Sequence, residues 1–159
     1  MRKIAIICIA VFLLTCQTKT EDTLANKTLF VSLDSLKTGI TFKNVLTPSQ
    51  ALNIIDYVYF YNGGGVATAD FNNDGLEDLF FVSNQKTNQL YLNKGNLTFQ
   101  NITKAAGISG HADWNTGVTT ADINGDGLED LFIGGALGQS AQIFVQTSNG
   151  FQQVQSTDI

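Results

Sequence analysis

A segment of 16 residues recurs in this chain, almost unchanged, at an offset of 52 positions. Residues 65–80 realign with residues 117–132, and 13 of the 16 positions are identical. The apolar pattern continues beyond that segment, since Leu90–Asn93 corresponds to Ile143–Gln146 after a shift of one residue. A repeat of this length indicates that the chain builds one supersecondary unit twice and packs the copies against each other.

Each unit contains four short apolar or β-branched runs separated by turn residues, a pattern that predicts strands. The predicted strands are Gly65–Ala69, Leu79–Val82, Leu90–Asn93 and Thr98–Ile102, then Gly117–Ala121, Leu131–Ile133, Gln142–Gln146 and Phe151–Gln155. Four antiparallel strands in about 50 residues are typical of a propeller blade. A sandwich of short strands is the alternative. Because a sandwich does not require near-identical sequence at a fixed offset, we favour blades at about 64–102 and 116–155.

A further fragment of the repeat precedes the first unit. Thr41–Val45 resembles Thr98–Ile102, the outermost predicted strand of that unit. An outer strand ahead of the first complete blade is what a closed propeller uses to finish its last blade. Propellers close with about four to eight blades, and two are fewer. The expected fold is therefore all-β, an incomplete β-propeller of two four-stranded blades plus an orphan N-terminal outer strand.

Both units contain one nine-residue loop, Asp-x-Asn-x-Asp-Gly-Leu-Glu-Asp. Side-chain oxygens at positions 1, 3 and 5 converge if the backbone curls, glycine at position 6 permits the turn, and position 7 offers its carbonyl. The opening matches an EF-hand loop, but the closing acid stands at position 9 and strands flank the loop. The predicted ligands are Asp70, Asn72, Asp74, the Leu76 carbonyl and Asp78, then Asp122, Asn124, Asp126, the Leu128 carbonyl and Asp130.

All of these ligands are hard oxygen donors, which favour Ca²⁺ over metals that prefer thiolate or imidazole. Magnesium is less suited, because it demands a tighter octahedron. Eight of the 14 acidic residues of the chain lie in the two loops, so we expect about two Ca²⁺ ions, one in each loop. The alternative is an ordinary turn, since Asp, Asn and Gly each favour turns for their own backbone reasons.

The N-terminus has the pattern of an export signal. Arg2 and Lys3 precede an apolar run of about 12 residues, which suits a signal peptide and is shorter than the roughly 20 residues of a membrane-spanning helix. Leu13–Cys16 resembles the lipobox at which bacterial lipoproteins are cleaved and lipidated. We expect a signal peptide at 1–15, lipidation of Cys16, a lipidated Cys and polar tether at 16–38, and the repeats at 39–159.

The remaining residues favour a protein without catalysis. Cys8 lies within the predicted signal peptide, so the mature body would hold no thiol other than Cys16. No cluster of Lys and Arg is present, which argues against nucleic-acid binding. His111, the one histidine, is near Asp113 and Trp114, but a solvated loop residue is the simpler interpretation. The run Tyr59–Tyr61 predicts either an aromatic binding surface or packing between blades.

Phe71–Phe80 and Ile123–Phe132 resemble FG-GAP/VCBS repeats, the calcium-bearing blades of integrin α-subunit propellers. Tyr61–Ala67 and Trp114–Val118 are similar to the ASPIC/UnbV-type lipoproteins of Bacteroidetes that are related to cartilage acidic protein. The resemblance covers about Gly39 to Gln155.

This resemblance implies a non-catalytic, calcium-binding interaction module of an exported lipoprotein, lipid-anchored at the bacterial outer membrane or cell surface. Its expected partner is a protein or glycan at the cell surface, with no nucleic acid, and its only membrane contact is the lipid anchor. The alternative is a scaffold within a larger extracellular enzyme that acts on polysaccharide.

Overall fold

The computed structural model describes residues 29–108 and 114–155. The chain from Leu33 onward forms one compact unit. The predicted signal peptide at 1–15, the predicted lipidation site Cys16 and the pair His111 and Asp113 lie outside the described residues. Within the described ranges, no helix combines the length and the apolar character that crossing a membrane requires.

The described residues contain eight strands in two four-stranded antiparallel sheets. Sheet 1 consists of β1 (Val66–Ala69), β2 (Asp78–Phe81), β3 (Gln89–Asn93) and β4 (Phe99–Asn101), and sheet 2 of β5 (Asn115–Ala121), β6 (Asp130–Gly135), β7 (Gln142–Thr147) and β8 (Gly150–Val154). Each sheet is a meander, because its strands pair in sequence order. The prediction of an all-β fold with two four-stranded units is confirmed, and the predicted strand ends lie within two residues of the observed ones.

The two sheets pack face to face in the same orientation, so that one face of sheet 1 contacts the opposite face of sheet 2. The core joins Phe80 and Leu90 of sheet 1 to Leu131, Ile133 and Phe144 of sheet 2. Successive side chains of a strand point to opposite faces, so sheet 1 uses the Phe80 face and sheet 2 uses the face opposite to Phe132, the repeat equivalent of Phe80. Equivalent sheets that stack in one direction are the arrangement of neighbouring propeller blades. The described strands form no closed ring.

The sheets approach each other most closely along their first strands, β1 and β5. A Cβ at Gly65 would lie 2.9 Å from the Val118 nitrogen and 3.0 Å from the Gly117 Cα. Real Cβ atoms are almost never so near to backbone atoms, so only glycine fits this position. The glycine run ahead of β1 therefore permits the close approach of the two sheets.

The predicted orphan outer strand is wrong, because Thr41–Val45 forms no strand. The segment lies across the face of sheet 1, where the Phe42 ring stacks on Phe81 with 4.9 Å between ring centroids. The Thr41 N–H donates to the Tyr91 hydroxyl at 3.3 Å, in place of a backbone partner. A segment that covers a face, and not an edge, meets side chains and cannot join the backbone ladder.

The residues just before this segment correspond to the turn that follows β4 in the first unit. Helix α1 (Ser35–Thr38) ends at Gly39, which has a φ of 77°, and the turn 103–106 ends at Gly107 with the same φ. Gly39 lies against the Phe99 carbonyl as Gly107 lies against the Phe151 carbonyl. The N-terminal segment thus contacts β4 as the turn after β4 contacts β8. The end of the predicted tether at 16–38 is accordingly helical and belongs to the compact unit.

Candidate metal centre

The two nine-residue loops occupy equivalent places in the two sheets. Loop 1 (Asp70–Asp78) connects β1 to β2, and loop 2 (Asp122–Asp130) connects β5 to β6. The ninth residue of each loop is the first residue of the following strand, where it pairs with the alanine that precedes the loop. Each loop is therefore held at both ends by one antiparallel ladder.

Positions 1, 3 and 5 of loop 1 turn their oxygens toward the backbone of the loop. Asp70 accepts the N–H of Asp74 at 3.0 Å through Oδ1 and that of Gly75 at 2.7 Å through Oδ2. The Asn72 Oδ1 also accepts the Asp74 N–H, at 3.1 Å, and its Nδ2 donates to Asp74 Oδ2 at 2.9 Å. The Asn72 and Asp74 side chains are therefore in contact, and Asp70 and Asn72 share the Asp74 N–H. The predicted convergence of the three on one metal ion stays a prediction.

Loop 2 reproduces these contacts. Asp122 accepts the N–H groups of Asp126 at 3.0 Å and Gly127 at 2.9 Å. Asn124 accepts the Asp126 N–H at 3.0 Å and donates to Asp126 Oδ2 at 2.9 Å. Two loops that take the same curl in two sheets indicate that the nine-residue sequence itself specifies the curl.

Two positions of each loop adopt a left-handed backbone. Position 6 is Gly75 in loop 1 and Gly127 in loop 2, with φ of 83° and 85°, and position 4 is Asn73 or Gly125, with φ of 56° and 76°. Asn is among the few residues with a side chain that tolerate this region. Position 4 is one of the three positions at which the two copies differ, and both of its residues suit this conformation.

The closing acids at position 9 have different surroundings from the other predicted ligands. Asp78 and Asp130 are fully buried. The Asp78 Oδ2 accepts the Phe71 N–H at 2.9 Å and its Oδ1 accepts the Asn93 N–H at 2.7 Å. Asp130 accepts from Ile123 at 2.9 Å and from Gln146 at 2.7 Å in the same way. Each closing acid therefore fastens the start of its loop to the third strand of its sheet.

Burial raises the pKa of the Asp78 carboxyl above its ordinary value, and the nearby Asp74 and Asp70 carboxylates raise it further. The N–H groups of Asn93 and Phe71 act in the opposite direction, because they stabilise the charged form. A buried carboxylate beside two like charges is a site at which a divalent cation would relieve repulsion.

The donor set suits a hard cation in its chemistry, with carboxylate and amide oxygens and no sulfur or imidazole. In the described part of the chain, no three acidic or histidine side chains come close enough to form a metal cluster by themselves. The side-chain oxygens of positions 1, 3, 5 and 9 all accept backbone N–H groups. Ligation by the predicted residues of both loops, at positions 1, 3, 5, 7 and 9, stays a prediction.

Gln146 contacts both loops and was not singled out from the sequence. Its backbone N–H donates to Asp130, and its Nε2 donates to the Phe71 carbonyl of loop 1 at 2.6 Å. The corresponding residue of sheet 1 is Asn93, whose Nδ2 donates to the Glu77 carbonyl of its own sheet at 2.9 Å. The sequence signal that could have identified Gln146 is that both copies of the repeat carry a side-chain amide at this position.

The aromatic run ahead of β1 is divided between packing and exposure. Phe60 is fully buried and packs on Trp114 with 5.2 Å between ring centroids. Tyr59 and Tyr61 are 58% and 61% exposed. Packing therefore accounts for Phe60, while both neighbouring tyrosines remain on the surface.

Two comparisons with known proteins agree with the repeat. Residues 70–133 match the model of the FG-GAP-like repeat family. Cartilage acidic protein 1 of Xenopus tropicalis is 32% identical over 91 residues, which are 57% of this chain and 14% of the length of that protein. The predicted resemblance to FG-GAP repeats and to cartilage acidic protein is confirmed. Repeats of this type indicate a β-propeller-type interaction module.

Proposed function

Because residues 70–133 match FG-GAP-like repeats, we propose that the two sheets are calcium-binding blades of a non-catalytic interaction module carried by an exported bacterial lipoprotein. The observation that carries this proposal is that one loop geometry occurs twice. In both copies the side-chain oxygens of positions 1 and 3 accept the N–H of position 5, and the amide of position 3 donates to the carboxylate of position 5. An ordinary turn requires neither the alternation of these oxygens nor a buried acid at position 9.

The ions would be held by the two sets of oxygens named above, in loop 1 and in loop 2. Bound calcium supplies positive charge that offsets the repulsion among the carboxylates of each loop. The chain contributes the curl, through the left-handed positions 4 and 6, and the anchoring of each loop by its closing acid. Preformed loops lower the ordering cost of binding.

Thermal unfolding of the purified chain with Ca²⁺ and with a chelator tests this proposal. At a concentration about 100 times the dissociation constant, binding stabilises the folded state by about 2.7 kcal/mol, which for a chain of this size raises the midpoint by about 5 °C or more. The Asp74→Ala/Asp126→Ala variant, which lacks a central carboxylate in each loop, should not respond. An unchanged wild-type midpoint would refute the calcium proposal.

The partner that we propose is a protein or glycan at the cell surface, and the membrane contact is the lipid on Cys16. Both proposals follow from the sequence pattern and the repeat family. Incorporation of labelled palmitate into the wild type and the Cys16→Ser variant tests the anchor. Equal labelling of the two forms would show that Cys16 is not lipidated.

A further inference from the structure

Three hydrogen bonds run from the closing acid of loop 2 to the closing acid of loop 1. The Gln146 backbone N–H donates to Asp130 Oδ1 at 2.7 Å. The Gln146 Nε2 donates to the Phe71 carbonyl at 2.6 Å, and the Phe71 N–H donates to Asp78 Oδ2 at 2.9 Å. One side chain and one residue of loop 1 therefore join two buried carboxylates that belong to different sheets.

The contact between Gln146 and Phe71 is the only link in this series that crosses between the sheets. Gln146 is 7% exposed, and only its amide nitrogen can serve a carbonyl oxygen at this distance. Its Oε1 is buried and has no partner among the described residues. Burying an amide with an unpaired oxygen costs stability. The bond to the Phe71 carbonyl of loop 1 is the favourable hydrogen bond that this side chain makes.

The equivalent residue of sheet 1 behaves differently. Asn93 also uses its N–H to bind the closing acid of its own sheet, at 2.7 Å, but its side chain donates to Glu77 within the same sheet. Loop 1 is thus supported both by its own Asn93 and by Gln146 of the neighbouring sheet. The support that Gln146 gives to loop 1 depends on the position of β7, which Asp130 of loop 2 helps to fix.

We propose that Gln146 couples the two loops, so that calcium binding at either loop strengthens binding at the other. The inference rests on the proposed calcium function and specifies its regulation. A calcium ion that ligates the closing acid of one loop restricts the remaining motion of that acid, and the series of hydrogen bonds passes this restriction to the second loop. The second binding event meets a lower ordering cost, which produces positive cooperativity without a large movement. Gln146 acts here as a positioning residue and not as a ligand.

Calorimetric titration of Ca²⁺ into the wild type and into two single-loop variants measures the coupling. Asp126→Ala leaves loop 1 as the intact loop, and Asp74→Ala leaves loop 2. We expect the product of the two wild-type association constants to exceed the product of the two single-loop constants by about fivefold or more. By linkage, the loop that remains in each single-loop variant should bind Ca²⁺ more weakly, by the same factor, than it does in the wild type when the other loop is occupied.

Replacing Gln146 identifies the residue responsible. Gln146→Met keeps the backbone N–H and a similar volume but cannot donate to Phe71, and Gln146→Asn is too short to reach that carbonyl. When the titrations are repeated with either Gln146 substitution present, we expect the ratio of the two products of association constants to fall to about one. The matched control is Asn93→Leu, which removes the corresponding bond within sheet 1. It should lower the affinity of loop 1 and leave the excess intact.

The outcomes separate this inference from the function on which it rests. If the wild type binds no Ca²⁺, both are overturned. If both loops bind but the wild-type excess is about onefold, or if the excess survives in Gln146→Met and Gln146→Asn, only the coupling is overturned. A merely structural role for Gln146 would lower both affinities and leave the ratio of products unchanged.

Discussion

At the scale of single residues, the nine loop positions divide into two kinds. Positions 1, 3 and 5 use their oxygens on N–H groups of the loop itself, at the protein surface. Position 9 is buried and uses one oxygen on the N–H of Phe71, at position 2 of the loop, and the other on the N–H of Asn93 in β3. The closing acid therefore has a structural role in addition to its predicted role as a ligand.

That difference predicts unequal losses of stability when two adjacent acids are replaced in the absence of calcium. Asp78→Ala leaves the N–H groups of Phe71 and Asn93 without acceptors, so we expect the free energy of unfolding in chelator to fall by about 2 kcal/mol or more. Glu77→Ala removes an exposed side chain at the preceding position and should change it by less than about 0.5 kcal/mol. Urea denaturation measures both values. Equal losses would contradict the structural role of Asp78.

At the scale of elements, equivalent strands of the two sheets meet different neighbours. Gly65 immediately precedes β1, and a Cβ at this position would clash with the backbone of β5. A Cβ at Gly117 would meet nothing within 4 Å. The two glycines occupy the same repeat position, and neither has a left-handed φ. Their difference therefore comes from packing between the sheets and not from backbone conformation.

Alanine substitution at this pair tests the contact between β1 and β5. Gly65→Ala should destabilise the protein by about 1 to 3 kcal/mol, because the added carbon overpacks against backbone that cannot move away cheaply. Gly117→Ala should be neutral or slightly stabilising, since alanine lowers the entropy of the unfolded chain. Thermal unfolding in chelator provides the comparison. A neutral Gly65→Ala would show that the sheets are farther apart than described.

At the scale of the whole molecule, equivalent residues of the two sheets have different environments, because the sheets stack in the same orientation. Phe80 lies in the core between the sheets and is fully buried, while its equivalent Phe132 is 41% exposed on the far face of sheet 2. Ile143, the equivalent of the buried Leu90, is likewise only partly buried. The far face of sheet 2 thus repeats the surface on which sheet 2 itself packs.

Truncation of these two phenylalanines should have unequal effects. Phe80→Ala removes a fully buried ring and should cost about 3 to 5 kcal/mol. Phe132→Ala should cost less than half as much, because its ring is already partly hydrated. Chemical denaturation of both variants in the same buffer measures the two losses. Equal losses would mean that the Phe132 face is covered in solution.

The sequence alone determined the features that local chemistry controls. Alternating apolar residues and turn residues predicted all eight described strands, and the 52-residue repeat predicted two equivalent sheets. The nine-residue loop predicted a curled backbone at this place in both units, because Asx side chains and left-handed glycines direct the curl locally.

Only the tertiary structure decided which surfaces meet. The resemblance of Thr41–Val45 to an outer strand was misleading, since whether a segment pairs at an edge or lies across a face depends on the side chains that it meets there. The link from Gln146 to Phe71 joins residues 75 positions apart, and no local pattern reports such a distance. The burial of Phe80 but not of Phe132 was equally inaccessible, because the same residue in equivalent strands meets a different neighbouring surface in each sheet.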